Sequence, residues 1–294
     1  MNMGKARGFT LIELSIVLVI IGLIVGGILV GRNLIKSAEI NALLSQMQKY
    51  QSAVYTFKTK YNNHIPGDMP VKDAALFGFF QCTWSACGQT SSEVSPANDD
   101  GKIYMGIPQA SLQGGNCNGE CSMFWRQLSD AKLIDGNFGA DLNSQGDPVS
   151  QNSDGFYILS KYQPAAKFGS SYVAIANQDY SGTFTGVYSD NAFYFLTQGT
   201  AGQVPLAPTM TPTEAYSIDK KIDDGLPARG KFLVEAWGYF NPGNNYYANA
   251  AASGSCTYGT VNQYVIANVL VAQYNTSPST GSEVVSCIPE FVMH

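Results

Sequence analysis

The chain has 294 residues, of which 45% are hydrophobic and 13% charged, with 30 Gly, 17 Tyr and 15 Phe. Sparse charge with many aromatics excludes a disordered, charge-rich chain and points to a folded, loop-rich body containing β-structure. The net charge is −5, from 17 basic and 22 acidic residues, and no run of five basic residues occurs, so direct nucleic-acid binding is not expected.

At the start of the chain, Lys5 and Arg7 precede Gly8-Phe9-Thr10-Leu11-Ile12-Glu13-Leu14, and an apolar run continues to Val30. Phe9 to Val30 is 22 residues. As helix this is about 33 Å, enough to cross a ~30 Å hydrocarbon core. Glu13 lies inside the span, where a carboxylate needs a partner or a task. Three readings compete. A secretory signal peptide has a shorter apolar core and a small-residue cleavage site after it, neither of which is present. A plain membrane anchor fits the length and leaves Glu13 unexplained. A cut after Gly8 removes the basic leader and gives Phe9 a free amine at the membrane surface. That amine could neutralise Glu13 of a neighbouring copy. Only this third reading uses Lys5, Arg7, Gly8, Phe9 and Glu13 together. It removes two basic residues and no acid, taking the charge from −5 to −7.

Lys5, Gly8, Phe9, Thr10, Leu11, Ile12, Glu13, Leu14 and Gly22 resemble the prepilin-type cleavage and methylation segment of the type IV pilin and pseudopilin family. The close likeness covers about the first 35 residues. It implies that an inner-membrane prepilin peptidase cuts after Gly8 and methylates the Phe9 amine. It also implies that the helix packs in a filament core, with Glu13 setting register against Phe9 of the next copy. The partners implied are copies of the chain itself, other pilin-type subunits, the peptidase/methylase and an inner-membrane assembly platform driven by ATP. The implied location is a single-pass inner-membrane protein with a periplasmic C-terminal domain, then an extracellular filament.

Beyond the membrane, Ile40, Leu43, Leu44, Met47, Tyr50, Val54, Phe57 and Tyr61 recur in steps of three and four, and no proline intervenes before Pro66. This is an amphipathic helix with one buried stripe. One helix is therefore expected over 9–61, membrane-spanning at 9–30 and amphipathic at 31–61. Gly22, Gly26, Gly27 and Gly31 form overlapping G-x-x-x-G spacings that allow close helix approach or mark weak points in the helix. Arg32 and Lys36 lie on the outer side of the span, so Lys5 and Arg7 must dominate orientation.

Asn62 to Asp68 should end the helix and open a globular domain over 62–294, with His64 as a turn residue. Six cysteines beyond a membrane span suit disulfides in an oxidising compartment. Fifteen connectivities are possible, and the sequence-local set Cys82–Cys87, Cys117–Cys121 and Cys256–Cys287 is favoured. A zinc site lacks support, because His64 and His294 are the only histidines and neither lies near a cysteine pair. Residues 82–119 read as a stapled loop region. Ser122 to Ile134 reads as a helix closed by Gly136, and Asp141 to Gly155 as a polar loop. Strands are expected at Tyr172–Ala176, Ala192–Leu196, Phe232–Phe240 and Tyr264–Gln273. A short helix from Thr213 to Asp224 is capped by Thr213 and stopped by Gly225. Strands without regular intervening helices pair antiparallel, so the fold class is α+β, a long N-terminal helix on an antiparallel sheet. Cys256 and Cys287 would tie a C-terminal loop to that sheet.

Asp219, Asp223 and Asp224 crowd a helix C-terminus, where carboxylates oppose the helix dipole. Bound calcium would explain them, as in some pseudopilins; a solvated helix end, offset by Lys220 and Lys221, is the alternative. Asp141 to Gly146 matches half of a calcium loop, but its twelfth position is Asn152 and not a bidentate Glu. Asn275-Thr276-Ser277 fits a glycosylation sequon of low specificity. No serine–histidine, metal–histidine or phosphate-binding glycine motif occurs, so no active site is expected. Three functions remain open: filament subunit, pseudopilin or minor pilin of a secretion or DNA-uptake machine, and a tethered binding module or adhesin that never polymerises.

Overall fold

Helix α1 runs unbroken from Leu11 to Lys60 in the computed structural model. The structure describes residues 10–80, 97–103, 120–139, 141–142, 148–149, 159–177, 190–197, 209–227, 230–236, 256–258, 273–274, 276 and 287–293. The two halves of α1 meet different surroundings. The large apolar residues from Leu11 to Ile35 are all at least 49% exposed. From Ile40 onward one stripe turns inward: Ile40, Leu43, Met47, Tyr50, Ala53, Val54 and Phe57 are buried, with Leu44 and Tyr61 packed at its edge. The three-and-four periodicity is thus the seam between helix and domain. Asn62 and Asn63 then take left-handed φ of 52° and 67°, which ends the helix. Asparagine tolerates that conformation better than most side chains.

The remaining elements follow in chain order. They are α2 (Val71–Phe77), α3 (Glu120–Asp130), β1 (Asp141–Leu142), β2 (Pro148–Val149), α4 (Leu159–Tyr162) and β3 (Ser171–Asn177). Then come β4 (Asn191–Thr197), α5 (Pro212–Ile222), β5 (Phe232–Ala236), β6 (Thr257–Tyr258), β7 (Gln273–Tyr274) and β8 (Cys287–Val292). The main sheet is fully antiparallel in the order β3-β4-β8-β5. β1 pairs with β2 and β6 with β7 as two-residue ladders. The architecture is α+β with a pilin-like layout. Its core lies between the second half of α1, α3 and the sheet, where Tyr50, Trp125, Phe193 and Phe124 stack at centroid spacings of 4.9–6.2 Å.

Several sequence expectations are corrected here. The C-terminal segment is not a loop tied to the sheet but β8, a strand between β4 and β5. The segment 141–155 is not all loop, since β1 and β2 form a short ladder in it. Helix α3 starts two residues earlier than expected and stops at Asp130. Lys132 turns left-handed at φ 58° and Leu133 N–H donates to Leu128 C=O at 3.0 Å, a helix-closing bond of the Schellman kind. The cap of α5 is Thr211, not Thr213. Pro212 occupies the first helical position, and Thr211 forms a capping box with Glu214. α2, closed by Gly78 at φ 74°, was not expected. The 264–272 part of the proposed strand, and 237–240, lie outside the described residues.

Candidate functional site

The first half of α1 is the part of the described chain that the domain leaves uncovered. Thr10 is its N-cap. The Thr10 backbone N–H and hydroxyl both donate to Glu13 Oε2 at 2.8 Å, and Glu13 N–H returns a bond to the Thr10 hydroxyl at 3.3 Å. This reciprocal arrangement satisfies donors that a helix start would otherwise leave open. Thr10 stands in the motif quoted from the sequence, and its capping role is what the structure adds. Its signal was the T-x-x-E spacing, readable from Thr10 and Glu13 alone. Glu13 therefore has a task inside its own chain, and it offers a carboxylate at the very start of an exposed apolar rod. Gly8 and Phe9, the expected cleavage pair, lie outside the described residues.

Gly22, Gly26, Gly27 and Gly31 present open backbone: a methyl built on any of them would meet nothing within 4 Å. They leave room for another helix to approach closely. α1 is the one described helix long and apolar enough to cross a membrane. The unbroken series of exposed large apolar residues ends at Ile35, and the first contacts with the domain follow. Lys36 Nζ pairs with Glu214 Oε1 of α5 at 3.1 Å, and Lys221 Nζ donates to Asn41 Oδ1 at 2.9 Å. Higher up, Gln46 Nε2 donates to Ala165 C=O at 2.8 Å while its Oε1 accepts Lys167 N–H at 2.8 Å.

The other sequence-predicted site residues fall elsewhere. Asp219, Asp223 and Asp224 do cluster at the α5 end, but each is drawn to a protein donor. Asp219 Oδ2 accepts the Tyr274 hydroxyl at 2.8 Å and Oδ1 accepts Gly225 N–H at 3.2 Å. Asp223 accepts Lys231 N–H, and Asp224 accepts Leu226 N–H at 2.9 Å. Burial pushes the Asp219 carboxyl up to about 6. Among the described residues no three His, Cys, Asp or Glu side chains converge as a metal set. Asp219 is better read as a pin joining α5 to β7.

His64 is more than a turn residue. Its ring is buried, with Nδ1 2.8 Å from Asp99 Oδ1 and Nε2 3.3 Å from Asp73 Oδ2. Beside it, the buried Asp68 accepts Asp99 N–H and Gly101 N–H, both at 2.8 Å, and burial raises its carboxyl to about 7. These groups fasten the 97–103 loop and α2 to the far end of α1. A scatter of Asp and His over forty residues of sequence gave no sign of this. Cys256 and Cys287 are joined as a disulfide, and Cys121 on α3 is disulfide-bonded to a cysteine outside the described residues. Cys82, Cys87, Cys117 and Asn275 also lie outside the described residues, as does most of the 141–152 half-loop.

Comparison with known proteins finds one likeness. Residues 3–29 match the family model for the prokaryotic N-terminal methylation motif, the signature of type IV pilins and pseudopilins. No curated protein and no solved structure matches the chain.

Proposed function

We propose that the chain is a structural subunit of a type IV pilus or related filament, held in the inner membrane by α1 and polymerised through it. The observation that carries this reading is the conjunction at residues 3–29. A processing and methylation motif opens a helix whose large apolar residues as far as Ile35 are all left uncovered by their own domain. An exposed rod of this length needs a lipid or protein surround, because water contact at every apolar side chain is unfavourable. Lipid supplies the surround before assembly, and copies of the same helix supply it afterwards. Cutting after Gly8 gives Phe9 an amine at the end of α1, within reach of a neighbour's Glu13. In the membrane-held subunit, the Thr10–Glu13 capping box keeps that carboxylate hydrogen-bonded until a neighbour arrives. The chemistry is processing and assembly, with no reaction catalysed by the chain itself.

Intact-mass measurement of the exported protein tests the first step. A mass beginning at methylated Phe9 supports the reading, and a chain that retains Met1–Gly8 would reject it in favour of a tethered binding module. The second step is tested at Glu13. Glu13→Gln retains a side chain that can complete the capping box, and Glu13→Ala does not. If charge pairing drives assembly, both variants are processed and both form few filaments. Wild-type filament yield from Glu13→Gln would show that capping alone suffices and would remove the pairing step.

The size of the domain favours a second reading within the same family, a pseudopilin or minor pilin that starts or tips a short fibre of a secretion or DNA-uptake machine. Abundance separates the two. A major subunit dominates a filament preparation, and a tip subunit is scarce in it.

A further inference from the structure

We propose that Arg32 and Glu39 form a second charge pair between neighbouring copies of the chain. Arg32 of one copy meets Glu39 of the next, on the same stagger that brings Phe9 to Glu13. The proposal rests on the filament reading given above and names a contact within it.

Between Leu11 and Asn41 the charged residues of α1 are Glu13, Arg32, Lys36 and Glu39. Two of them are occupied within the chain. Glu13 is held in the Thr10 capping box, and Lys36 Nζ lies on Glu214 Oε1 at 3.1 Å. The charges of the adjoining helix α5 are also engaged. Lys220 lies over the Tyr216 ring at 5.6 Å, and Lys221 donates to Asn41 at 2.9 Å. Asp223 and Asp224 accept the backbone N–H groups of Lys231 and Leu226. Arg32 and Glu39 are exposed, and among the described residues neither has an ion-pair or hydrogen-bond partner.

The spacing makes the two complementary between copies and not within one. Seven residues are about two turns, so Arg32 and Glu39 lie within about 20° of one line along the helix. They are about 10.5 Å apart along the axis, beyond the three- and four-residue spacings at which side chains of one helix meet. Copies inserted with the same orientation have parallel helices. Phe9 stands four residues before Glu13, so placing the amine of one copy on Glu13 of the next shifts the copies by about 6 Å. In both pairs the cation precedes the anion, so one shift carries both cations towards both anions, and the opposite shift separates both. After the 6 Å shift, Arg32 is about 4.5 Å short of its neighbour's Glu39, a gap that a long arginine side chain spans. Lipid gives the same arginine a different surround before assembly. Arg32 stands about 32 Å along the axis from Leu11, at the edge of a ~30 Å hydrocarbon core, where headgroup phosphates can neutralise it. A filament leaves those headgroups behind, and a charge beside packed apolar helices then needs a counter-ion. Glu39 of the neighbouring copy supplies it.

The test reverses each charge in the full chain, in its native cell, and measures sheared filament against processed subunit in the membrane. Arg32→Glu leaves only acids at the contact and Glu39→Arg only bases. Each variant alone should be processed normally and yield severalfold fewer filaments, because like charges then face each other. Co-expression of the two should restore filaments, since each chain supplies the charge that the other lacks. The exchange Arg32→Glu/Glu39→Arg within one chain should restore them as well. Parental yield from both single variants overturns the proposal. Loss that neither co-expression nor the exchange relieves also overturns it, and assigns the two residues to contacts other than copies of the chain. An unaltered chain that is processed yet builds no filament defeats the filament reading beneath, and the pair with it.

Discussion

Replacing Tyr50 by alanine should loosen the domain from α1 without touching the apolar rod. Tyr50 is 6% exposed, packs edge-on against Trp125 at 4.9 Å and lies 6.0 Å from Phe193. Its hydroxyl accepts from Gln46 Nε2 at 2.9 Å, the same amide that holds Ala165. Truncating a buried aromatic to alanine costs about 3–5 kcal/mol, because the lost transfer energy is joined by a cavity that neighbours cannot fill. For a domain of this size each kcal/mol shifts the melting temperature by about 2–4 °C, so the expected fall is roughly 6–20 °C. Tyr50→Phe keeps the ring and loses one hydrogen bond, about 0.5–1.5 kcal/mol, and should fall by only a few degrees. Thermal unfolding of the full chain in detergent, followed by near-ultraviolet circular dichroism, reads both. The reasoning fails if Tyr50→Ala melts within a few degrees of the parent, or if Tyr50→Phe falls as far as Tyr50→Ala.

Three further outcomes are expected. The raised carboxyls of Asp68 and Asp219 hold protons in the folded state that the unfolded chain releases near its ordinary acid range. Stability should therefore decline as pH rises from about 4 towards 7 and level off above that. Asp68→Asn should flatten the slope of melting temperature against pH, and an unchanged slope would contradict the assignment. Breaking the Cys256–Cys287 disulfide, which spans a sequence separation of 31, should cost about 3–4 kcal/mol by loop entropy, read as a shifted denaturant midpoint in Cys256→Ser/Cys287→Ser. Gly67 has φ +90°, and a methyl there would lie 2.4 Å from Glu120 C=O. Gly67→Ala should destabilise by more than Gly101→Ala, because both take on the strain of a left-handed φ, about 1 kcal/mol, and only Gly67 adds a clash.

Periodicity carried much of the fold into view. The steps from Ile40 to Tyr61 matched the buried stripe because a helix on a flat core can bury only one face. β3 and β4 were legible as short β-branched and aromatic runs bounded by polar turns. β8 was hidden by its own residues, since Pro289 and the buried Glu290 both argue against an inner strand. The proline is tolerated because the β4 ladder stops at Glu290, one residue short of it. α5 starts two residues before the expected cap, because Pro212 and Glu214 complete the signal for Thr211 and nothing completes one for Thr213. Of the site, the Phe9–Glu13 spacing and the glycines stood out in the residues, and the Thr10 capping box could have. The His64–Asp68–Asp99 fastening could not, because long-range pairing of scattered polar residues leaves no local pattern.

β8 is inserted between two strands that precede it by some fifty to a hundred positions of sequence. Until Cys287–Val292 has been made, β4 and β5 have no strand between them, and the growing polypeptide waits with its sheet split. A premature stop upstream of Cys287 would thus remove the middle of the sheet and not a dispensable tail.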